Sequence, residues 1–219
     1  NVTECRAERI ENADTITAFY NASDESSRLK KNRHSQIEFL ISMRYLQEVI
    51  PENSRILDCC AGTGIYAFAL AKQHRVVAGD LSEKHIAQMK ELQKDAPQLE
   101  EIHWLDARHM GIFEDESFDV VLCMGALYHL FSYEDRMNAI RECVRLCKKG
   151  GILVFAYLNK WGNFYNGMIN NLKPMDLLYR EFDSGNHEDI FFRTTAEEVN
   201  AMCQALNLIC LHNIGVDHL

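Results

Sequence analysis

No Cys-x-x-Cys pair occurs in this chain, although it holds eight cysteines. The spacing that usually gathers zinc ligands is therefore missing, and no metal site is expected. A chain of 219 residues does not need disulfide staples. The thiols read as small, buried apolar side chains, which suits a reducing cytoplasm. No apolar run is long enough to span a bilayer, and no signal peptide is visible. The chain opens on Asn1 without Met, which implies that the natural N-terminus is not shown. Positive charge is also in deficit: 23 Lys and Arg stand against 32 Asp and Glu, a net charge of -9. Phosphate binding needs clustered cations, so nucleic acid is disfavoured as the main partner. One basic run, Arg28, Lys30, Lys31 and Arg33, reads as a solvated helix face.

The length allows one domain with a sizeable core, and the 47% apolar content is that of an ordinary globular protein. The informative stretch is residues 55–67. Arg55 to Cys59 reads as a short buried strand, Gly62 and Gly64 follow at once, and Ile65 to Ala71 has helical character. Strand, glycine turn and helix open a βα unit, where glycines permit a tight turn and close approach of a ligand to the backbone. The N–H groups at the helix start favour a polar or anionic ligand group. Gly62-x-Gly64-x-x-Ala67 fits the dinucleotide fingerprint. The next apolar strand, Arg75 to Gly79, ends in Asp80, 16 residues after Gly64. An acid at that tip can accept both ribose hydroxyls, so loop and acid together indicate an adenosine-containing ligand.

The remaining pattern alternates strands and helices. A polar lead-in, residues 1–34, carries one apolar knot from Ile16 to Tyr20 and reads as a helical lid over the pocket. A helix is expected from about Ser35 to Val49. Ser82 caps a second one striped by Ile86, Met89 and Leu92. Strands are expected at Glu101–Leu105, with Asp106 at its tip, at Phe118–Met124, and at Ile152–Tyr157. Ser132-x-x-Asp135 and Thr195-x-x-Glu198 read as capping boxes, the first opening a helix through Cys147 that Lys148-Lys149-Gly150-Gly151 stops. Leu208 to Ile214 reads as a sixth strand. The sum is a single α/β domain with a doubly wound, mostly parallel sheet. Residues 158–193 are a long connection rich in aromatics, among them Trp161, Phe164, Tyr165, Tyr179, Phe182, Phe191 and Phe192. It reads as an inserted substrate cap.

Asp58-Cys-Cys-Ala-Gly62-Thr-Gly64 resembles motif I of the class I S-adenosylmethionine-dependent methyltransferases, in which an acid closes the first strand. The likeness continues through Asp80-Leu81-Ser82, Asp106-Ala107, Phe118 to Cys123 and Lys148 to Gly151, covering roughly residues 37 to 157. It implies a Rossmann-like fold and S-adenosylmethionine as cofactor, with S-adenosylhomocysteine as product. It further implies a cofactor site at Asp58, Ala61, Gly62, Gly64, Asp80, Leu81, Asp106, Ala107 and Met124, with Tyr20 and Arg33 reaching in from the lead-in and Arg44 as a further candidate. Asp106 or the backbone of Ala107 would read the adenine amino group. At the fourth strand's tip, Tyr128 and His129 are the polar pair of an apolar segment, with His109, Tyr157 and Asn159 near the same rim. His129 either takes a proton from the acceptor or packs with Tyr128 against the cofactor. The acidic charge and aromatic cap favour a small-molecule acceptor, at oxygen, nitrogen or sulfur. Methylation of a protein or peptide, nicotinamide-dependent dehydrogenation and cofactor binding without catalysis stand as alternatives. Related enzymes add a seventh, antiparallel strand, so the chain is expected to lack its C-terminal strand.

Overall fold

The computed structural model describes residues 15, 16, 18, 19, 33–186 and 189–216. Helix α1 (Arg33–Val49) leads into β1 (Arg55–Asp58). Then come α2 (Ile65–Leu70), β2 (Arg75–Asp80), α3 (Glu83–Leu92), β3 (Glu101–Trp104) and β4 (Phe118–Cys123). Helix α4 (Tyr133–Leu146) passes directly into β5 (Cys147–Phe155). These five strands form one parallel sheet in the order β3-β2-β1-β4-β5. The winding reverses between β1 and β4, which opens a crevice at their C-terminal ends.

Side-chain alternation divides the core. Leu57, Val77, Val121 and Cys123 face one way, against Ile140 and Cys143 of α4. Ile56, Val76, Val120 and Leu122 face the other, against Leu46 of α1, Leu70 of α2 and Met89 of α3. Strands covered on both faces must be apolar throughout, which is why β4 reads as a nearly unbroken apolar run. The buried side of α1 holds Ser42 and Leu46, followed by buried Ile50 just past its end, whereas Ile37 and Leu40 are exposed. Among the described residues, no helix is long and apolar enough to cross a membrane.

Two boundaries differ from the sequence reading. Lys148 to Gly151 do not merely stop a helix; they belong to β5, where the register with β4 shifts between Phe118 and Val120. Gly151 fits there because a Cβ would stand 2.6 Å from the Asp119 carbonyl oxygen. Residues 208–214 form no strand. Leu208 packs on the core, but Ile209 and Leu211 face solvent, so the apolar run gains no ladder partner. Side-chain contacts hold this segment instead: Tyr157 Oη to Asn213 Oδ1 at 2.9 Å, and the Tyr45 and His212 rings at 5.6 Å.

The long connection has its own helices. Strands β6 (Leu158–Asn159) and β7 (Arg193–Thr194) pair in parallel and bracket α5 (Lys160–Ile169) and α6 (Met175–Ser184). Trp161 and Phe164 of α5 pack on Phe182 of α6, with ring centroids 4.5 and 5.8 Å apart. The rings of Trp161, Phe164 and Phe182 thus meet between the two helices, while Trp161, Tyr165 and Tyr179 stay exposed.

Helix α7 (Ala196–Gln204) starts with a complete capping box. Thr195 Oγ1 accepts from the Glu198 N–H at 3.2 Å, and Glu198 Oε2 accepts from the Thr195 N–H at 2.9 Å. Thr195→Ala is expected to cost about 1 kcal/mol, a few degrees in Tm, without changing cofactor affinity. An unchanged Tm would contradict that role. At α4 the Ser132 hydroxyl likewise accepts from the Asp135 N–H, but the Asp135 carboxylate turns to Arg108, 3.0 Å from Nη1.

Candidate active site

The crevice is built on the turn after β1. The Cys59 N–H donates to the Leu122 oxygen at 2.9 Å, and the Ala61 N–H to the Gly79 oxygen at 2.9 Å, so the loop is tied to both neighbouring strands. Gly62 and Gly64 have φ of 57° and 86°, in the left-handed region that side chains disfavour. A Cβ on Gly62 would meet nothing within 4 Å, so the space above that residue is open; one on Gly64 would press on the Phe68 ring at 2.9 Å.

Asp80 organises this loop. Its Oδ2 accepts from the Gly62 N–H at 2.8 Å. Its Oδ1 accepts from the Ser82 N–H at 2.8 Å and lies 3.0 Å from His85 Nδ1. Each carboxylate oxygen has two lone pairs, so Oδ2 keeps acceptor capacity toward the open side. His85 was not singled out from the sequence; the capping position of Ser82, three residues before it, was the available signal. Leu81 is half-buried, and its carbonyl oxygen accepts from Trp104 Nε1 at 2.7 Å.

Asp58, at the end of β1, and Ala61, in the loop, are buried. Burial, reinforced by the charge of Asp80 and opposed by the Cys60 N–H, pushes the Asp58 carboxyl up to about 7. Asp106 stands at the tip of β3, but Arg108 claims both of its oxygens, with Nη2 to Oδ2 at 2.8 Å. That guanidinium, itself buried, also holds Asp135. Ala107 is buried beside it. Tyr20 and the Arg33 side chain, expected at the cofactor, lie outside the described residues. Arg44 is exposed on α1.

The tip of β4 closes the other side. Met124 is half-buried, and its carbonyl oxygen accepts from the Tyr128 hydroxyl at 3.1 Å. His129 is buried, with Nδ1 3.0 Å from the Ile190 carbonyl oxygen. Its ring stands 4.8 Å from Tyr128 and 5.1 Å from Phe191, and Phe19 of the lead-in packs on Phe191 at 5.9 Å. Burial lowers the His129 pKa; the Ile190 carbonyl and the charges of Asp80 and Asp189 oppose this and are outweighed. Of the weaker candidates, Asn159 caps α5 by accepting from the Trp161 N–H at 2.9 Å, Tyr157 is tied to Asn213, and His109 is exposed. The structure thus brings Asp58, the glycine loop, Asp80, Met124, Tyr128 and His129 to one end of the sheet. Ile190 could not be found from the sequence, because only its backbone takes part.

A parallel sheet with a switch point, a glycine turn at it and an acid on the next strand define an α/β protein that binds a nucleoside-containing cofactor. A family described as "Methyltransferase domain" matches residues 57–155. A ubiquinone biosynthesis O-methyltransferase from Paracidovorax citrulli is 32% identical over 173 residues, 76% of this chain and 68% of that protein. A SAM-dependent methyltransferase from Methanosarcina mazei shares the fold, with a TM-score of 0.60 at 18% identity over 74% of this chain and 82% of that one. Phosphoethanolamine N-methyltransferase 1 of Haemonchus contortus, solved with phosphoethanolamine and S-adenosylhomocysteine, gives a TM-score of 0.53 at 22% identity, over 65% of this chain and 32% of that one. The chain belongs to the class I S-adenosylmethionine-dependent methyltransferases. S-adenosylmethionine is therefore its cofactor, rather than a nicotinamide dinucleotide.

Proposed function

We propose that the chain transfers a methyl group from S-adenosylmethionine to a hydroxyl oxygen of a small molecule, with His129 taking the hydroxyl proton. The cofactor supplies a methyl group already activated on a sulfonium, so the protein's task is to position, to exclude water and to handle one proton. Asp80 orients the ribose through the remaining capacity of Oδ2. Gly62, Gly64 and Ala61 let the backbone approach, and Leu81, Ala107 and Met124 flank the ligand. Because Arg108 occupies Asp106, the adenine amino group is assigned to the backbone of Ala107.

The observation that carries the base role is the 3.0 Å contact between His129 Nδ1 and the Ile190 carbonyl oxygen. A carbonyl oxygen only accepts, so Nδ1 bears the proton and Nε2 is the basic nitrogen. The lowered pKa keeps the imidazole neutral at pH 7. A phenol, with a pKa near 10, gains from such a base, whereas a thiol has less need of one. The relatives named as O-methyltransferases support an oxygen acceptor. The described cysteines form no disulfides, which fits the cytoplasm as compartment.

The test is competition among phenols, amines, thiols and peptides for labelled methyl. The phenols should take it on oxygen; exclusive labelling of a peptide or of an amine would refute the reading. Residues 158–193 are assigned to acceptor selection, through Phe191 beside His129. Phe191→Ala should raise the acceptor KM by roughly tenfold, the worth of one lost aromatic contact, while cofactor affinity stays within about threefold. Loss of cofactor affinity with an unchanged KM would refute the cap.

A further inference from the structure

Four thiols meet beneath the cofactor loop, and the methyl-transfer reading uses none of them. Strand register brings the first two together. Asp58 pairs with Leu122, so Cys59 and Cys123 follow on adjacent parallel strands and point to the same face. That face is covered by α4, whose buried side contributes Cys143. The sulfur atoms of Cys59, Cys123 and Cys143 all lie within 4.8 Å of one another, and all three residues are buried. Half-buried Cys60 stands at the rim, its sulfur 3.9 Å from that of Cys59.

We propose that Cys59, Cys123 and Cys143 form a three-sulfur site for one thiophilic monovalent ion of the Cu(I) class, with Cys60 as its entry. Metal–sulfur bonds of about 2.3 Å in a trigonal plane need sulfurs roughly 4.0 Å apart, within the span already present. All-sulfur ligation selects soft ions, and three buried ligands suit Cu(I) better than Zn(II), which takes four. Each thiol that ligates releases its proton to solvent as its metal–sulfur bond forms, and no electron moves. The three ligands sit at positions 59, 123 and 143, in the turn after β1, on β4 and on α4, so no short motif announces them.

The test is anaerobic titration of the reduced chain with Cu(I) against a chromogenic Cu(I) chelator, followed by X-ray absorption. One ion per chain should be retained, with three sulfur neighbours at about 2.3 Å. Cys143→Ala should lower its affinity by about a hundredfold or more. Cys203→Ser with Cys210→Ser, outside the cluster, should leave it unchanged. Cys143→Ser repeats the ligand loss without opening a gap, and circular dichroism shows which variants are folded. The X-ray absorption of the unaltered chain stands without either variant. Failure to retain copper, nitrogen or oxygen neighbours in place of sulfur, or full retention by a folded Cys143 variant would overturn the site.

Discussion

His129→Gln is expected to slow single-turnover methyl transfer by about 10²–10⁴, the usual worth of a general base. Glutamine keeps the size and some hydrogen bonding but cannot take the proton. Cofactor affinity should stay within about threefold, because the lost step is chemical rather than binding. The pH profile carries the sign. Charging His129 means burying a cation, so its pKa lies below the ordinary value. The neutral base is then the predominant form at pH 7, and the rate falls as pH drops through a pKa lower than that of an ordinary imidazole. That acid limb should vanish in the glutamine variant. Tyr128→Phe is the companion: it removes a hydroxyl bound to the Met124 carbonyl, and about 0.5–1.5 kcal/mol of stability is the expected loss. If His129→Gln were nearly silent in rate and its loss appeared in binding, His129 would only shape the pocket.

Asp80→Ala should weaken S-adenosylmethionine binding by about 1.5–3 kcal/mol, roughly 10- to 150-fold. Two losses contribute. The ribose loses a charged acceptor, and the glycine loop loses the anchor that holds the Gly62 N–H at 2.8 Å. Asp80→Asn retains one acceptor oxygen and should fall between the two. Calorimetry with unchanged affinity in a folded Asp80→Ala variant would contradict the assignment.

The sheet and its ligand end were legible because each rests on local rules. A short apolar strand, two glycines and an acid at the next tip can be read from residues 55–80 alone. What was not legible depends on pairing. Leu208 to Ile214 has the composition of a strand, but a strand also needs a neighbour. Lys148 to Gly151 look like a helix stop, yet a shift in register lets them join β5. The contact between His129 and Ile190 spans 61 residues and uses a carbonyl oxygen, which no side-chain pattern encodes. The aromatic residues of 158–193 were legible as a cluster, but not that Trp161 and Phe164 of α5 would meet Phe182 of α6, a pairing set by how the two helices pack.

A crystal structure of the complex with S-adenosylhomocysteine and a phenol tests the central claim most directly. The account predicts an Asp80 carboxylate oxygen within about 2.6–3.2 Å of a ribose hydroxyl, and His129 Nε2 at the same range from the phenol oxygen. An adenosine bound away from Asp80, or a phenol oxygen that meets no part of His129, would contradict it.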